Sequence, residues 1–205
     1  MEKKLKLDLA CGNNKIEGYT GVDVAALESV DVVHDLNEYP WPFEENSVDE
    51  VHCAHYIEHI KHDNVALDLR KIVNESNSFE EFKIKVNEES FFRPKDGFIK
   101  FMNELYRIMK PGSKATLIAP YYSAMGSFGD PTHTRGICDF TAYYYNKEYR
   151  EAMLLNHYGI ETDFDVKFSY GISNDMTLKS EEVRNHAFMH ELNTVDQIIF
   201  EFIKR

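Results

Sequence analysis

Short apolar runs separated by polar turns fill the N-terminal part of the chain. Residues 5–10 (LKLDLA) alternate apolar and polar positions before the turn Gly12-Asn13-Asn14, which predicts a strand that ends in a loop. Residues 19–24 (YTGVDV) and 30–33 (VDVV) are β-branched runs, and residues 48–53 (VDEVHC) form a fourth predicted strand. After this strand, residues 54–60 (AHYIEHI) change to helical spacing.

The second half of the chain contains one strongly amphipathic helix followed by further strands. Apolar residues recur every three to four positions over residues 97–109, which predicts a helix that ends at Lys110 and the stop signal Pro111-Gly112. Residues 113–119 (SKATLIA) predict a fifth strand. We also expect a helix near 146–156 and two late strands, near 160–170 and 195–204.

A polar segment separates the two halves. It covers about residues 63–96 and has only short apolar clusters, so we interpret it as an inserted lid or subdomain with one or two helices. The regular alternation of strands with helices or loops elsewhere predicts an α/β fold with a parallel sheet covered on both faces. Ligands bind such sheets at the carboxyl ends of the strands, here after residues 10, 24, 33 and 53.

Composition narrows the possible classes of protein. The 205 residues suit one domain, and the 43% hydrophobic content suffices for a buried core. The formal net charge of -12 disfavours nucleic-acid and anionic-membrane partners. No signal peptide or bilayer-spanning run is evident, and the three scattered cysteines are typical of reduced thiols, so we expect a cytoplasmic protein without a membrane partner.

The predicted strand ends carry a turn and two acids in succession. Ala10 and Gly12 are small enough for a ligand to approach the backbone, and a single glycine disfavours a dinucleotide fingerprint. Asp23 is placed to accept hydrogen bonds from ribose hydroxyls, and Asp35 from an adenine amino group, with Leu36 beside the base. Each feature also has an ordinary structural interpretation, as a plain turn, a helix cap or a solvated carboxylate.

Three stretches together resemble a known family. The runs LDLACGNNKIEGYTGVDV, DVVHDLNEYPWPFEENSVDEVHCAHYIEHI and FMNELYRIMKPGSKATLIAP are similar to class I S-adenosylmethionine-dependent methyltransferases, in particular the small phage and bacterial type like "methyltransferase domain 11". The resemblance covers roughly residues 5–62 and 97–120. It implies one domain over residues 1–205 with a Rossmann-like, mostly parallel seven-stranded sheet, an antiparallel last strand and helices on both faces.

The resemblance also implies a cofactor site for S-adenosylmethionine. The methionine end would lie on Asp8, Ala10, Cys11, Gly12 and Asn13, although Ala10 and Asn14 replace glycines of the usual motif. Asp23 and Val24 would contact the ribose, and Asp35 and Leu36 the adenine. Cys53, Ala54 and His55 would line the sulfonium side.

The loop Gly129-Asp130-Pro131-Thr132-His133-Thr134-Arg135 is the candidate for acting on a methyl acceptor. His133 is placed to remove a proton, Asp130 to orient His133, and Arg135 to hold an anionic group. The same residues also suit a tight structural turn. The histidines His52, His55, His59 and His62 lack zincin order, so we expect no metal site.

These observations predict an enzyme that transfers a methyl group to oxygen or nitrogen of a small-molecule or metabolite acceptor. Two alternatives remain open at this point. One is a cofactor-binding module or pseudoenzyme whose insertion binds a partner protein. The other is a metal-dependent hydrolase built on the histidines.

Overall fold

A computed structural model describes residues 4–61, 69–91 and 96–205. Seven strands form one sheet in the order β3-β2-β1-β4-β5-β7-β6. The strands are β1 (Lys6–Leu9), β2 (Thr20–Asp23), β3 (Val32–Val33), β4 (Val48–Ala54), β5 (Met109–Pro120), β6 (Phe164–Ile172) and β7 (Val195–Lys204). The first five strands pair in parallel, whereas β7 runs antiparallel to both β5 and β6. The predicted mostly parallel seven-stranded sheet is therefore confirmed.

Eight helices and one short 3₁₀ turn, Asn156–Tyr158, occur in the described residues. The helices are α1 (Leu69–Asn74), α2 (Phe79–Phe91), α3 (Gly97–Ile108), α4 (Met125–Gly129), α5 (Asp139–Tyr143), α6 (Lys147–Ala152), α7 (Asn174–Thr177) and α8 (Glu181–His190). Two of them, α1 and α2, occupy the segment expected to be an insertion, whose residues 62–68 and 92–95 lie outside the described part. Its action as a lid remains a prediction.

The predicted long helix is α3, and it ends one residue earlier than expected. Met109 is already extended, with φ −69° and ψ 141°, so the chain enters β5 directly. Pro111 and Gly112 therefore lie inside the strand, where the pairing of β4 with β5 shifts register and Gly112 adopts a φ of +78°. The later elements match in kind, although β6 begins at Phe164 and α6 ends at Ala152.

The prediction that a helix begins directly after β4 is wrong. Residues 55–60 form a turn in which the His59 amide donates to the Tyr56 carbonyl at 2.9 Å. Ile57 and Ile60 are both buried, and their spacing is equally compatible with a compact turn. The three connections between β1 and β4 are likewise loops, so the carboxyl edge of these strands carries irregular backbone rather than helix ends.

The core lies between α3 and the sheet. Leu7, Leu9 and Val51 lie on one face of the sheet and are fully buried. The Trp41 ring packs edge to face on Phe101 of α3 with ring centroids 5.2 Å apart, so the β3–β4 connection packs against the helix. Glu104 strengthens this junction because its carboxylate accepts the Trp41 amide at 2.6 Å.

Among the described residues, no helix combines the length and apolar character that a bilayer crossing requires.

Candidate functional site

The loop after β1 turns through two residues with positive φ. Ala10 has φ +54° and Gly12 has φ +51°, so the backbone reverses immediately beyond the strand. Asp8 stabilises this turn, because its Oδ2 accepts the Ile16 amide at 2.8 Å and its Oδ1 lies 2.7 Å from His52 Nδ1. With only 3% of its surface exposed, Asp8 supports the loop rather than facing a ligand.

Asp23 joins the first two loops at the carboxyl edge of the sheet. Its Oδ2 accepts the Gly12 amide at 3.0 Å, and its Oδ1 accepts the Ala25 amide at 2.9 Å. Each carboxylate oxygen has two lone pairs, so one acceptor position on each remains available for a ligand. The Val24 side chain, by contrast, is 65% exposed and lies at the surface.

Two residues that the sequence analysis missed complete this arrangement. The Ser29 hydroxyl donates to the Gly12 carbonyl at 2.5 Å. The Asp31 carboxylate accepts the Gly21 amide at 2.7 Å and lies 2.8 Å from Lys15 Nζ. The loop after β2 is thereby tied to the loop after β1. No residue type in 25–31 indicates this in the sequence, because the contacts depend on how the loop folds back over β2.

Cys11 and Asn13 lie at the tip of the first loop, where Asn13 is exposed and Cys11 half-buried. Burial raises the pKa of the Cys11 thiol, and the charges of Asp8 and Asp23 raise it further. The thiol is therefore protonated at neutral pH and unsuited to act as a nucleophile.

Asp35 and Leu36 follow β3. Asp35 Oδ1 accepts two hydrogen bonds from Asn37, from the amide at 2.9 Å and the side chain at 2.8 Å. Leu36 is 3% exposed and belongs to the core, and its carbonyl accepts the Trp41 indole N–H at 3.1 Å. The half-buried Asp35 carboxylate is available at the edge, whereas packing of Leu36 against a base remains a prediction.

The end of β4 presents backbone more than side chains. Cys53 is 1% exposed, and burial raises the pKa of its thiol well above the ordinary value. Ala54 is half-buried, and His55 is exposed with φ +55°. His55 Nδ1 lies 3.5 Å from Glu58 Oε1, which is ion-pair distance, and the nearby carboxylate raises the pKa of the imidazole.

The loop at 129–135 is organised differently from the expectation. Asp130 Oδ1 accepts both the Thr132 amide at 2.8 Å and the Thr132 hydroxyl at 2.6 Å, and these bonds lower the pKa of Asp130. The predicted contact from Asp130 to the His133 ring is replaced by one from the α4 backbone, because His133 Nδ1 lies 3.1 Å from the Ser127 carbonyl.

Arg135 is engaged within the protein. Its guanidinium donates to Asp96 Oδ1 at 3.1 Å and to the Ile60 carbonyl at 2.9 Å, and it lies 5.2 Å above the Phe98 ring. These contacts favour a scaffold role over the expected anchoring of an anionic acceptor, because they hold the half-buried guanidinium against Asp96, Ile60 and Phe98.

The same loop is fixed against the turn after β4. The Thr134 amide donates to the Glu58 carbonyl at 2.9 Å, and its hydroxyl donates to the Ile60 carbonyl at 2.7 Å. His59 Nδ1 lies 2.8 Å from Thr132 Oγ1, and the ring centroids of His59 and His133 are 4.6 Å apart. Two segments more than 70 residues apart are thus held together at the carboxyl edge of the sheet.

An apolar cleft of about 500 Å³ lies beside this loop, between α4 and the start of β7. Its wall is mostly apolar and strongly exposed, with Phe128 at 78%, Leu192 at 76% and Met125 at 74%. Tyr122, Ser123, Ala124, Gly129 and Asn193 complete the lining. The cleft and the three loops above share one edge of the sheet, because β5 ends and the antiparallel β7 begins there.

Comparison with solved structures agrees with this topology. An S-adenosylmethionine (SAM) dependent methyltransferase from Archaeoglobus fulgidus is 18% identical, and the alignment covers 98% of this chain and 86% of that chain with a TM-score of 0.58. Another, from Mesorhizobium loti, is 10% identical over 99% of this chain and 91% of that chain, with a TM-score of 0.47. No protein-family model matches the sequence, and no curated protein does. The likeness to the Archaeoglobus structure, together with the strand order, shows that the chain has the Rossmann-like fold of class I methyltransferases.

Proposed function

We propose that this protein is an S-adenosylmethionine-dependent methyltransferase that acts on an oxygen or nitrogen atom of a small-molecule acceptor. The observation that carries the proposal is the Asp23 carboxylate, which bridges the amides of Gly12 and Ala25 and keeps further acceptor capacity at the edge of the sheet. Asp35 follows the adjacent parallel strand, so the two acids lie beyond neighbouring strand ends at one edge of the sheet, which suits the ribose and the adenine of one nucleoside.

The acceptor is expected to have an apolar portion. The cleft between α4 and β7 offers a largely apolar wall, and its position at the same edge as the cofactor loops suits in-line methyl transfer. His133 contacts the backbone of α4, the helix whose Met125 and Phe128 line this cleft, and it is the candidate base for an acceptor that loses a proton. The net charge of -12 supports a small molecule over a nucleic acid as the acceptor.

Calorimetry with S-adenosylmethionine and S-adenosylhomocysteine tests the cofactor. We expect binding by the wild-type protein and at least tenfold weaker binding by Asp23→Ala. Glu28→Ala is the matched control, because it removes one exposed negative charge from the neighbouring loop. Failure of the wild-type protein to bind either compound contradicts the proposal.

A second experiment separates a ribose contact from general disturbance of the loop. Wild type and Asp23→Ala are each titrated with S-adenosylhomocysteine and with its 2′-deoxyribose analogue. If Asp23 accepts from the ribose, loss of the hydroxyl weakens binding to the wild type but has little further effect on the variant. Equal effects in both proteins place the ribose elsewhere.

A further inference from the structure

The described residues contain one cluster whose side chains suit a metal ion. Glu58, His59 and His133 each offer a ligand atom, and these three atoms lie within 4.8 Å of one another. Ligands of one tetrahedral zinc ion lie about 2.0–2.2 Å from it, and hence about 3.3–3.6 Å apart. The three atoms therefore need to approach one another by no more than about 1.5 Å to share one ion.

Glu58 supplies the second observation. It is 2% exposed, and within the described part of the chain neither carboxylate oxygen accepts a hydrogen bond. The His55 imidazole lies at ion-pair distance from Glu58 Oε1, 3.5 Å, but the ring is itself exposed and the contact is longer than an ordinary hydrogen bond. A buried carboxylate is normally hydrogen-bonded, paired closely or bound to a metal, and the loose pairing with His55 leaves both Glu58 oxygens without a hydrogen bond, which suits a metal ion.

The hydrogen bonds of His59 and His133 supply the third observation. The Thr132 hydroxyl donates to Asp130 at 2.6 Å, so its oxygen accepts from His59 Nδ1–H at 2.8 Å. His133 Nδ1–H donates to the Ser127 carbonyl at 3.1 Å. Both rings then have an unprotonated Nε2 with a lone pair. Carboxylates and carbonyls orient metal-binding histidines through the other ring nitrogen in this way.

We infer that Glu58, His59 and His133 form a binding site for a divalent transition-metal ion, with zinc the first choice for two imidazoles and one carboxylate. Three protein ligands leave room for water or an oxygen atom of a bound molecule. In the metal-bound form Thr132, held by Asp130, orients His59, and His133 Nε2 is a ligand; in the metal-free form the same nitrogen is free to act as the base proposed above. The metal site goes beyond the methyltransferase proposal and does not depend on it.

The test is titration of the chelator-treated full chain with Zn²⁺, and separately with Co²⁺, whose visible absorption reports nitrogen and oxygen ligands. We expect one equivalent to bind and the thermal midpoint to rise. Glu58→Gln, which keeps the side-chain volume, and His133→Ala are expected to weaken binding at least a hundredfold. Thr132→Val is expected to weaken it about 10- to 100-fold, because it removes only the support of His59.

His190→Ala controls for surface binding. His186 and His190 lie one turn apart on α8 with ring centroids at 4.7 Å, so they are the obvious place for adventitious zinc. We expect this variant to bind like the wild type. The inference is overturned if the wild type binds no equivalent of Zn²⁺ or Co²⁺, or if His190→Ala loses binding while Glu58→Gln keeps it. Urea unfolding of each metal-free variant shows that it is folded, and SAM calorimetry on metal-free protein separates this result from the proposed function.

Discussion

A single methyl group at Gly21 tests whether the loops after β1 and β2 form one tightly packed unit. Gly21 is buried in β2, directly beside Asp8 of β1. A Cβ atom added there would lie 2.7 Å from Lys15 Cδ, 2.8 Å from Cys11 Sγ and 2.8 Å from the Ser29 carbonyl oxygen. Gly21→Ala therefore inserts one atom between the two loops without changing charge or hydrogen-bonding groups.

The size of the effect follows from which neighbours can move. Non-bonded carbon contacts are normally about 3.5–4.0 Å, so each neighbour must retreat by roughly 1 Å. Lys15 has a flexible side chain, whereas Ser29 contributes a backbone oxygen and its hydroxyl also holds Gly12. Overpacking of this kind costs about 1–3 kcal/mol, partly offset by about 0.4–1 kcal/mol from the reduced freedom of the unfolded chain. We expect a net loss of about 1–2 kcal/mol in the free energy of unfolding.

Cofactor binding should weaken as well, because displacement of Ser29 is transmitted to Gly12 and hence to Asp23. A shift of about 1 Å in a binding constellation is enough for a loss of roughly tenfold in affinity, which is about 1.4 kcal/mol. Urea unfolding measures the stability, and calorimetry with S-adenosylhomocysteine measures the affinity. Gly126→Ala is the matched control, since its Cβ would meet nothing within 4 Å.

The double variant Cys11→Ala/Gly21→Ala separates the contributions. Removal of the Cys11 sulfur relieves one of the three contacts, so partial recovery of stability is expected, with the rest retained by Ser29. The reasoning is refuted if Gly21→Ala is as stable as Gly126→Ala and binds the cofactor with wild-type affinity.

Three further predictions concern other parts of the molecule. Ala10→Gly should raise the free energy of unfolding by up to about 1 kcal/mol in urea titrations, because glycine relieves the φ of +54°; a lower midpoint contradicts this. Iodoacetamide at pH 8 should leave Cys53 unlabelled in the native protein, and it should label Cys11 more slowly than a free thiol because burial raises both pKa values. Bound cofactor should slow Cys11 further, and unchanged labelling in mass spectra counts against its place in the site. Lys204→Met should lower the free energy of unfolding by at least about 2 kcal/mol, because Lys204 Nζ donates to Asn46 Oδ1 at 2.7 Å and to the carbonyls of Tyr106 at 2.6 Å and Met109 at 2.9 Å. Equal urea midpoints for this variant and for the exposed control Lys167→Met contradict the prediction.

The strands were predictable because their signal is local. The β-branched runs that end at Asp23 and Val33 contain both the strand and its termination, and parallel pairing then brings those ends to one edge. The turn at 55–60 was not predictable, since Ile57 and Ile60 are buried at a spacing that a helix also produces. Periodicity reports burial, and a short buried turn satisfies it as well as a helix does.

The contacts of individual side chains were even harder to predict from the sequence. Asp130 and His133 are close in sequence, which suggested a direct contact, but Thr132 lies between them and takes the carboxylate. His133 instead meets Glu58 and His59, more than 70 residues away. That proximity depends on β4 and β5 being adjacent and on the hydrogen bonds of Thr134, neither of which leaves a pattern in the sequence.

The loop after β1 also indicates what kind of ligand it favours. Sites for pyrophosphate use the N-terminus of a helix that follows the first strand, whose positive end attracts anions. Here the connection between β1 and β2 is a loop held by the carboxylates of Asp8 and Asp23. Acidic groups without a helix end repel phosphates and attract cations. S-adenosylmethionine carries a sulfonium and an ammonium group but no phosphate, so the electrostatics of the loop support it over a dinucleotide as the ligand of this fold.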